Sequence, residues 1–155
     1  MAKYDKIIFL DFDGVLVPYD SADERDYFGT IFNNQCVESL HNIITQTKAK
    51  IVVISSWTNY LSLIKLKLMW KYRKMPGVVV GRIKNDSVDR SAKIDTWLRK
   101  NPTNNYIIID DMGASQFGLS HRLHIIQPKT RIGLSKKESI LAIEKLNIFL
   151  PKQEQ

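Results

Sequence analysis

The first apolar run of this chain ends in two carboxylates and a glycine, and this junction restricts the possible folds more than any other segment. Residues Ile7–Leu10 suit a fully buried strand, and Asp11, Asp13 and Gly14 follow within four positions. A buried strand disfavours ionised carboxylates, because they lose water there without gaining a partner. Residues i and i+2 lie on one side of a strand, so both carboxylates can converge where the strand emerges. The pattern favours a cation or a reaction site over its alternative, a plain Asp-Gly turn.

The remainder of the chain alternates between apolar strand patterns and helical periods. Further strands are predicted at residues 50–55, 78–80, 106–109 and 123–126, and helices at about 34–48, 59–74, 91–101 and 135–149, the third of them capped by Ser91. Continuous apolar strands separated by helices predict an α/β, three-layer Rossmann-like fold, in which helices cover both faces of about five parallel strands. Ligands of such sheets bind at the carboxyl ends of the strands.

The composition indicates one ordinary globular domain in a reducing compartment. The 155 residues fit a single domain at about residues 1–150, followed by a loose tail at 151–155. Cys36 is the only cysteine, which excludes an intramolecular disulfide, and no secretory or membrane-spanning run is evident. We therefore expect a cytoplasmic protein without a membrane partner. The net charge of +7 favours contact with polyanions but does not identify one.

Polar residues follow the other predicted strands as well. Ser55 and Ser56 follow the second strand, Asp110 and Asp111 follow the fourth, and Lys93 lies at the start of the helix before the fourth. Several carboxylates at one edge repel one another unless a cation neutralises them. Ligation by oxygen alone, with no His or Cys nearby, favours Mg²⁺ over Zn²⁺, and hydroxyls, a lysine and helix-start amides suit a phosphate. Together these residues predict a magnesium-dependent phosphoryl-transfer site.

The same segments resemble, in order, the four motifs of a known family. Residues Asp11–Val15 match DxDGV after an apolar strand, residues 51–55 match a strand that ends in serine, Lys93 matches an early helix lysine, and residues 107–111 match a strand that ends in an acidic pair. The chain is therefore similar to the haloacid dehalogenase (HAD) superfamily of phosphohydrolases, in its small type without a cap domain. The motifs span most of the chain.

The resemblance implies separate roles for the acidic residues. Asp11 would attack phosphorus and become a phosphoaspartate, while Asp13 would protonate the leaving oxygen and then activate water. Mg²⁺ would bind to Asp11, to the backbone carbonyl of Asp13 and to Asp110 or Asp111. Of the last two residues, Asp110 is favoured as the direct ligand.

The resemblance also implies a phosphate-binding set. Ser55, the amide of Ser56 and Lys93 would bind the oxygens of the transferred phosphoryl group. Each of these residues has a plainer alternative, because the serines can be ordinary strand-end residues and Lys93 competes with Arg90 and with a surface role. Trp57 directly follows this segment and is interpreted as a core residue rather than a substrate-stacking one.

Little chain is left for a cap domain, so the predicted site is open. A helix and a strand use most of residues 57–92, and residues 17–33 suffice only for a flap. An open site favours a large substrate, such as a nucleic-acid end or a phosphoprotein, over a metabolite that must be enclosed. The basic residues predicted at its rim, which suit the phosphates of a polynucleotide, are Arg82, Lys84, Lys129 and Arg131.

Two observations bear on a nucleic-acid substrate in opposite directions. The flap is acidic, with Asp20, Asp23, Glu24 and Asp26 against Arg25. The step Ser55–Trp57 resembles small HAD members associated with RNA-repair proteins, although Thr58 stands where those tend to carry arginine. A polynucleotide-end phosphatase is the leading specific hypothesis. The alternatives are a phosphatase of nucleotides or sugar phosphates and a non-catalytic binding module, and the apolar helix near residues 61–70 offers a dimer interface.

Overall fold

The computed structural model describes residues 1–21, 23–86 and 89–148. The strands are β1 (Tyr4–Leu10), β2 (Arg25–Asp26), β3 (Gly29–Thr30), β4 (Lys50–Val53), β5 (Val79–Arg82), β6 (Thr103–Ile109) and β7 (Ile125–Ile126). The α-helices are α1 (Asn34–Thr47), α2 (Leu63–Tyr72), α3 (Arg90–Lys100) and α4 (Lys136–Asn147). Short 3₁₀ helices cover Ser56–Asn59, Gly113–Ser115 and Leu119–His124.

A five-stranded parallel sheet forms the centre of the fold, as predicted. Its strand order is β5-β4-β1-β6-β7, and the pairs within it are parallel. Leu10 at the end of β1 pairs with Val53 of β4 on one side and with Ile109 of β6 on the other. This register brings the carboxyl ends of three neighbouring strands level with one another, so the residues that follow them share one edge of the sheet.

Alternation along the buried strands supplies a core on each face of the sheet. On one face, Ile8 and Leu10 of β1 belong to a cluster that includes apolar residues of α1, α2 and α4. On the other face, Ile7 and Phe9 pack in a second cluster with Ile94 of α3. Burial of both faces explains why these strands are apolar throughout, and it confirms the three-layer α/β fold.

The segment between β1 and α1 forms a flap rather than a domain. Its only described strands, β2 and β3, make a two-stranded antiparallel hairpin, and no cap domain is present within the described residues. The hairpin is tied to α2 through Asp26, whose carboxylate accepts two hydrogen bonds from Arg73 at 2.8 and 2.7 Å. Arg73 also donates to the carbonyl of Gly29 and lies over the ring of Phe32. The flap is therefore fixed to the body by a largely buried ion pair.

Several element boundaries differ from the sequence predictions. Helix α3 begins at Arg90, because Asp89 and not Ser91 caps it by accepting from the amides of Ser91 and Ala92. Helix α2 begins at Leu63, later than predicted, because Ser62 caps it by accepting from the amide of Lys65. Strand β7 has two residues, since a 3₁₀ helix continues to His124. The predicted tail at 151–155 and the predicted end of the last helix at residue 149 lie outside the described residues.

Two further features concern the surroundings of the domain. None of the described helices is long and apolar enough to cross a membrane. Cys36 is buried on α1, with its thiol 3.6 Å from the carbonyl oxygen of Ile132, and burial raises the pKa of this thiol to about 11. Helix α2 buries Leu66, Met69 and Trp70 but exposes Ile64 and Leu68, and the predicted dimer interface there stays a prediction.

Candidate active site

Two carboxylates are buried side by side at the carboxyl edge of the sheet. Asp11 follows β1 and is 7% exposed, and Asp110 follows β6 and is fully buried. Each accepts a hydrogen bond of 2.8 Å from a nearby backbone amide, Asp11 from Phe12 and Asp110 from Met112. Burial raises the pKa of both carboxyl groups, and the charge of Asp110 raises the pKa of Asp11 further. The residues around Asp11 and Asp110 therefore neutralise the negative charges of these carboxylates only in part.

The guanidinium of Arg90 joins two strand ends across this pair. It donates to Oδ2 of Asp110 at 2.9 Å and to the carbonyl oxygen of Ile54, just beyond β4, at 2.8 Å. Since β1 lies between β4 and β6, the guanidinium spans the strand that carries Asp11. Its charge lowers the pKa of both aspartates, but this effect is smaller than that of burial.

Lys93, predicted as the phosphate-binding cation, has its bonds to other residues than Asp11 and Asp110. Its ammonium donates to the carbonyl of Lys84 at 2.7 Å and forms an ion pair with Asp86. The cap at Asp89 places Arg90 in the first turn of α3, whereas Lys93 lies one turn, about 4.5 Å, further along the axis. The sequence did contain a signal for Arg90, because a cation in the first turn of a helix is unfavourable unless a carboxylate is nearby. Phosphate binding by Lys93 stays a prediction.

A third carboxylate completes an acidic cluster beside the buried pair. Asp11, Asp110 and Asp111 each place one carboxylate oxygen within 4.8 Å of those of the others. The hydroxyl of Thr130 donates to Oδ2 of Asp111 at 2.9 Å. Gly14 is packed against the same oxygen: its φ is +77°, and a Cβ there would lie 2.2 Å from it. A side chain at position 14 would therefore displace Asp111.

This cluster fits a hard divalent cation. Its donors are carboxylate oxygens alone, and two of the three belong to residues whose pKa is raised by burial. Mg²⁺ prefers such oxygen ligands, and a cation would neutralise the repulsion that the arrangement concentrates. The carboxylate of Asp13 is not one of the three clustered groups. A contribution of Asp13 through its backbone carbonyl stays a prediction.

Asp13 faces the open side of the site. Its side chain is exposed, and the indole Nε1 of Trp57 donates to its Oδ1 at 3.3 Å. Trp57 is buried against Phe12 and Phe32, with ring centroids 5.3 and 5.6 Å away, which confirms that it packs in the core. The contact with Asp13 is a second role, which the sequence reasoning missed because it assigned Trp57 to packing alone.

The two serines differ in exposure. Ser55 is fully buried, and its hydroxyl accepts from the amide of Trp57 at 3.2 Å while its carbonyl accepts from the amide and hydroxyl of Thr58. These bonds begin the 3₁₀ turn after β4. Ser56 is exposed at the start of that turn. Phosphate binding by Ser55 and Ser56 stays a prediction.

The four predicted rim cations separate into two groups. Arg82 donates to the carbonyls of Thr58 and Leu61, so its guanidinium supports the 3₁₀ turn and the chain that follows it. Lys84 lies near Lys93. Lys129 and Arg131 are exposed on either side of Thr130, the residue that contacts Asp111. Their place beside the acidic cluster suits a rim role better than that of Arg82.

An open cleft of about 360 Å³ lies between the cluster and the flap. The body of the domain contributes Asp13, Gly14, Asp111 and Thr130, and the flap contributes Val17, Pro18, Tyr19, Ser21, Asp23 and Thr30. A ligand in this cleft would have access from solvent to Asp13 and to Asp111 of the acidic cluster.

Comparison with known proteins identifies the family of the chain. Residues 7–139 match the family described as the HAD domain in Swiss Army Knife RNA repair proteins. A solved structure from Legionella pneumophila, assigned to subfamily III A of the HAD superfamily hydrolases, is 14% identical with a TM-score of 0.48, covering 94% of this chain and 85% of that one. No curated protein matches significantly. The family match covers most of the chain, and the protein accordingly belongs to the HAD domains of Swiss Army Knife RNA repair proteins, within the HAD superfamily of hydrolases.

Proposed function

We propose that this protein is a magnesium-dependent phosphatase that works through a phosphoaspartate on Asp11. The observation that carries the proposal is the convergence of Asp11, Asp110 and Asp111 within 4.8 Å at the carboxyl edge of the sheet. Structural stability does not require three carboxylates there, and burying two of them, Asp11 and Asp110, is costly. Their grouping next to an open cleft is explained by phosphoryl transfer.

The two aspartates of the first motif divide the reaction between them. An oxygen of Asp11 attacks phosphorus, the bond from phosphorus to the leaving oxygen breaks, and that oxygen takes a proton from Asp13. Asp13 then removes a proton from water as the water attacks the phosphoaspartate, which releases phosphate and restores both carboxyl groups. Asp13 is exposed and lines the cleft, so a leaving group and then water can reach its carboxylate from solvent.

The metal would neutralise negative charge, and residues of the chain hold the carboxylates in position. Asp11, Asp110 and Asp111 would hold Mg²⁺, with the carbonyl of Asp13, and the cation would stabilise negative charge on the phosphoryl oxygens. Arg90 holds Asp110 in place. The amide of Phe12 donates to Oδ1 of Asp11 and so limits the directions in which the nucleophilic carboxylate can turn.

The substrate that we propose is the phosphorylated end of an RNA strand. The matched family is described as a domain of RNA repair proteins, the described residues include no cap that would enclose a small molecule, and Lys129 and Arg131 flank the site. Cationic residues near the site suit the phosphates that adjoin a strand end.

Turnover assays with and without metal test this proposal. The purified protein is given p-nitrophenyl phosphate, and then RNA oligonucleotides with a 3′- or 5′-phosphate, a phosphopeptide and a panel of nucleotide and sugar phosphates. We expect phosphate release in MgCl₂, none in EDTA, and the highest kcat/KM with RNA. Absence of turnover with every substrate would favour a binding module, and preference for a metabolite or a phosphopeptide would overturn the RNA assignment.

A further inference from the structure

An exposed tyrosine lies next to the proposed proton donor. Tyr60 directly follows the 3₁₀ turn that carries Trp57, and its side chain is 60% exposed. Its ring centroid is 6.3 Å from that of Trp57, at an interplanar angle of 31°. Trp57 in turn donates to Asp13. The ring of Tyr60 therefore lies beside the buried indole that holds Asp13, with most of its surface in solvent.

The charges that act on the hydroxyl of Tyr60 belong to Asp13, which lines the cleft, and to Arg25 of the flap. Partial burial raises the pKa of its hydroxyl, the charge of Asp13 raises this pKa further, and the charge of Arg25 lowers it. Arg25 is exposed on β2 of the flap. The ring thus lies within electrostatic reach of the acid/base residue on one side and of a flap cation on the other.

We propose that Tyr60 is the stacking platform for the nucleobase of the terminal nucleotide, a proposal that rests on the RNA phosphatase function above. Asp13 protonates the leaving oxygen, so the nucleoside attached to that oxygen lies on the side of Asp13. Tyr60 is an exposed aromatic ring on that side. A tyrosine face accepts any base, which suits an enzyme that must act on strand ends of any sequence.

The charges of the flap favour the same path. Asp20, Asp23 and Glu24 are exposed there and repel a phosphate backbone, whereas Arg25 attracts it. A strand whose last base stacks on Tyr60 can place its next phosphate toward Arg25 and avoid the acidic part of the flap. The acidic flap then limits the routes by which RNA leaves the site instead of excluding RNA.

The test compares RNA with a terminal base and RNA whose terminal nucleotide is abasic. For Tyr60→Ala we expect KM for the ordinary oligonucleotide to rise about tenfold, within the range known for loss of one base stack, and KM for the abasic oligonucleotide to stay unchanged. Tyr60→Phe keeps the ring and should behave as wild type. Tyr72→Ala is the matched control, because Tyr72 is also exposed but contacts Phe28 on the flap rather than Trp57.

Binding measurements separate this proposal from the proposed reaction. In an Asp11→Asn background, fluorescence anisotropy with the same two oligonucleotides should show about tenfold weaker binding of the ordinary one when Tyr60 is replaced by alanine. If this difference in binding is found but the wild type shows no turnover, the phosphatase function is overturned and the stacking site is supported. Turnover by the wild type with equal effects of Tyr60→Ala on both oligonucleotides, or no effect on either, would overturn the stacking site alone.

Discussion

The two halves of the site are built in different ways. The buried half consists of Asp11, Asp110 and Arg90, which are held by backbone amides and carbonyls at aligned strand ends. The open half consists of Asp13 and Tyr60, both exposed, which are supported by one buried indole. In the buried half, the register of the sheet determines where the side chains lie. In the open half, turns and the flap determine it. Under the proposed mechanism, negative charge is concentrated in the buried half, and proton transfer and substrate contact would take place in the open half.

Removing the charge of Asp11 tests the buried half most directly. Asp11→Asn should reduce kcat by a factor on the order of 10⁴ or more, because the nucleophile is lost while the fold is kept. Release of phosphate from p-nitrophenyl phosphate in MgCl₂ measures this loss. Activity equal to that of the wild type would contradict the assigned nucleophile.

The same variant tests whether the cluster is strained without metal. In EDTA, Asp11→Asn should unfold at a higher temperature than the wild type, because a buried carboxylate beside Asp110 is removed. MgCl₂ at 100 times its Kd should stabilise the wild type by about 2.7 kcal/mol and the variant less. Equal stabilisation of the two proteins would show that Asp11 is not a metal ligand.

Arg90 and Lys93 offer a matched pair of cations one turn apart on α3. Arg90→Gln should destabilise the fold by about 3 kcal/mol, because it leaves the buried carboxylate of Asp110 without its ion pair. Lys93→Gln removes a more exposed pair with Asp86 and should cost less than about 1 kcal/mol. Urea denaturation measures both effects. Equal losses would contradict the assignment of Arg90, rather than Lys93, to the buried half.

Replacement of Trp57 tests the link between the halves. Trp57→Phe keeps an aromatic ring but removes the N–H that reaches Asp13, so kcat should fall about tenfold with little change in KM. Trp70→Phe is the control, since Trp70 is a buried tryptophan whose N–H donates to the carbonyl of Pro76 instead. If both variants lower kcat equally, the indole of Trp57 acts through packing and not through Asp13.

The flap pair should give a small effect, and one that depends on pH. Arg73 holds the pKa of Asp26 below its usual value, so the stabilisation is present above about pH 4 and is lost as pH falls through the lowered pKa. Asp26→Asn should cost about 1 kcal/mol at pH 7, because asparagine keeps an oxygen that accepts from Arg73, and the difference from the wild type should shrink below pH 4. Denaturation at several pH values measures it. A constant difference would mean that the ion pair does not fix the flap.

The buried half was largely predictable from the sequence, because its rule is local. An apolar strand that ends in a carboxylate identifies Asp11 and Asp110, and parallel topology brings such ends together. Arg90 was harder, because its position depends on which residue caps α3. Asp89 and Ser91 are both suitable caps, and a shift of two residues decides which cation reaches Asp110.

The open half could be predicted only in part. The exposed Asp13 follows from the motif, but its contact with Trp57 depends on a 3₁₀ turn that the sequence pattern did not indicate. Tyr60 shows no periodicity or motif that distinguishes it from other exposed tyrosines. Its significance comes from its neighbours in space, which the sequence pattern does not contain.

The buried thiol on α1 has a consequence for chemistry under oxidising conditions. Phosphatases that attack with a cysteine thiolate lose activity when peroxide oxidises that sulfur, because the thiolate is the reactive form. Here the proposed nucleophile is a carboxylate, and the only cysteine of the chain, Cys36, is buried with a pKa of about 11. The proposed phosphatase has no accessible cysteine thiolate to lose, so we expect its turnover to persist at peroxide concentrations that inactivate cysteine-dependent phosphatases.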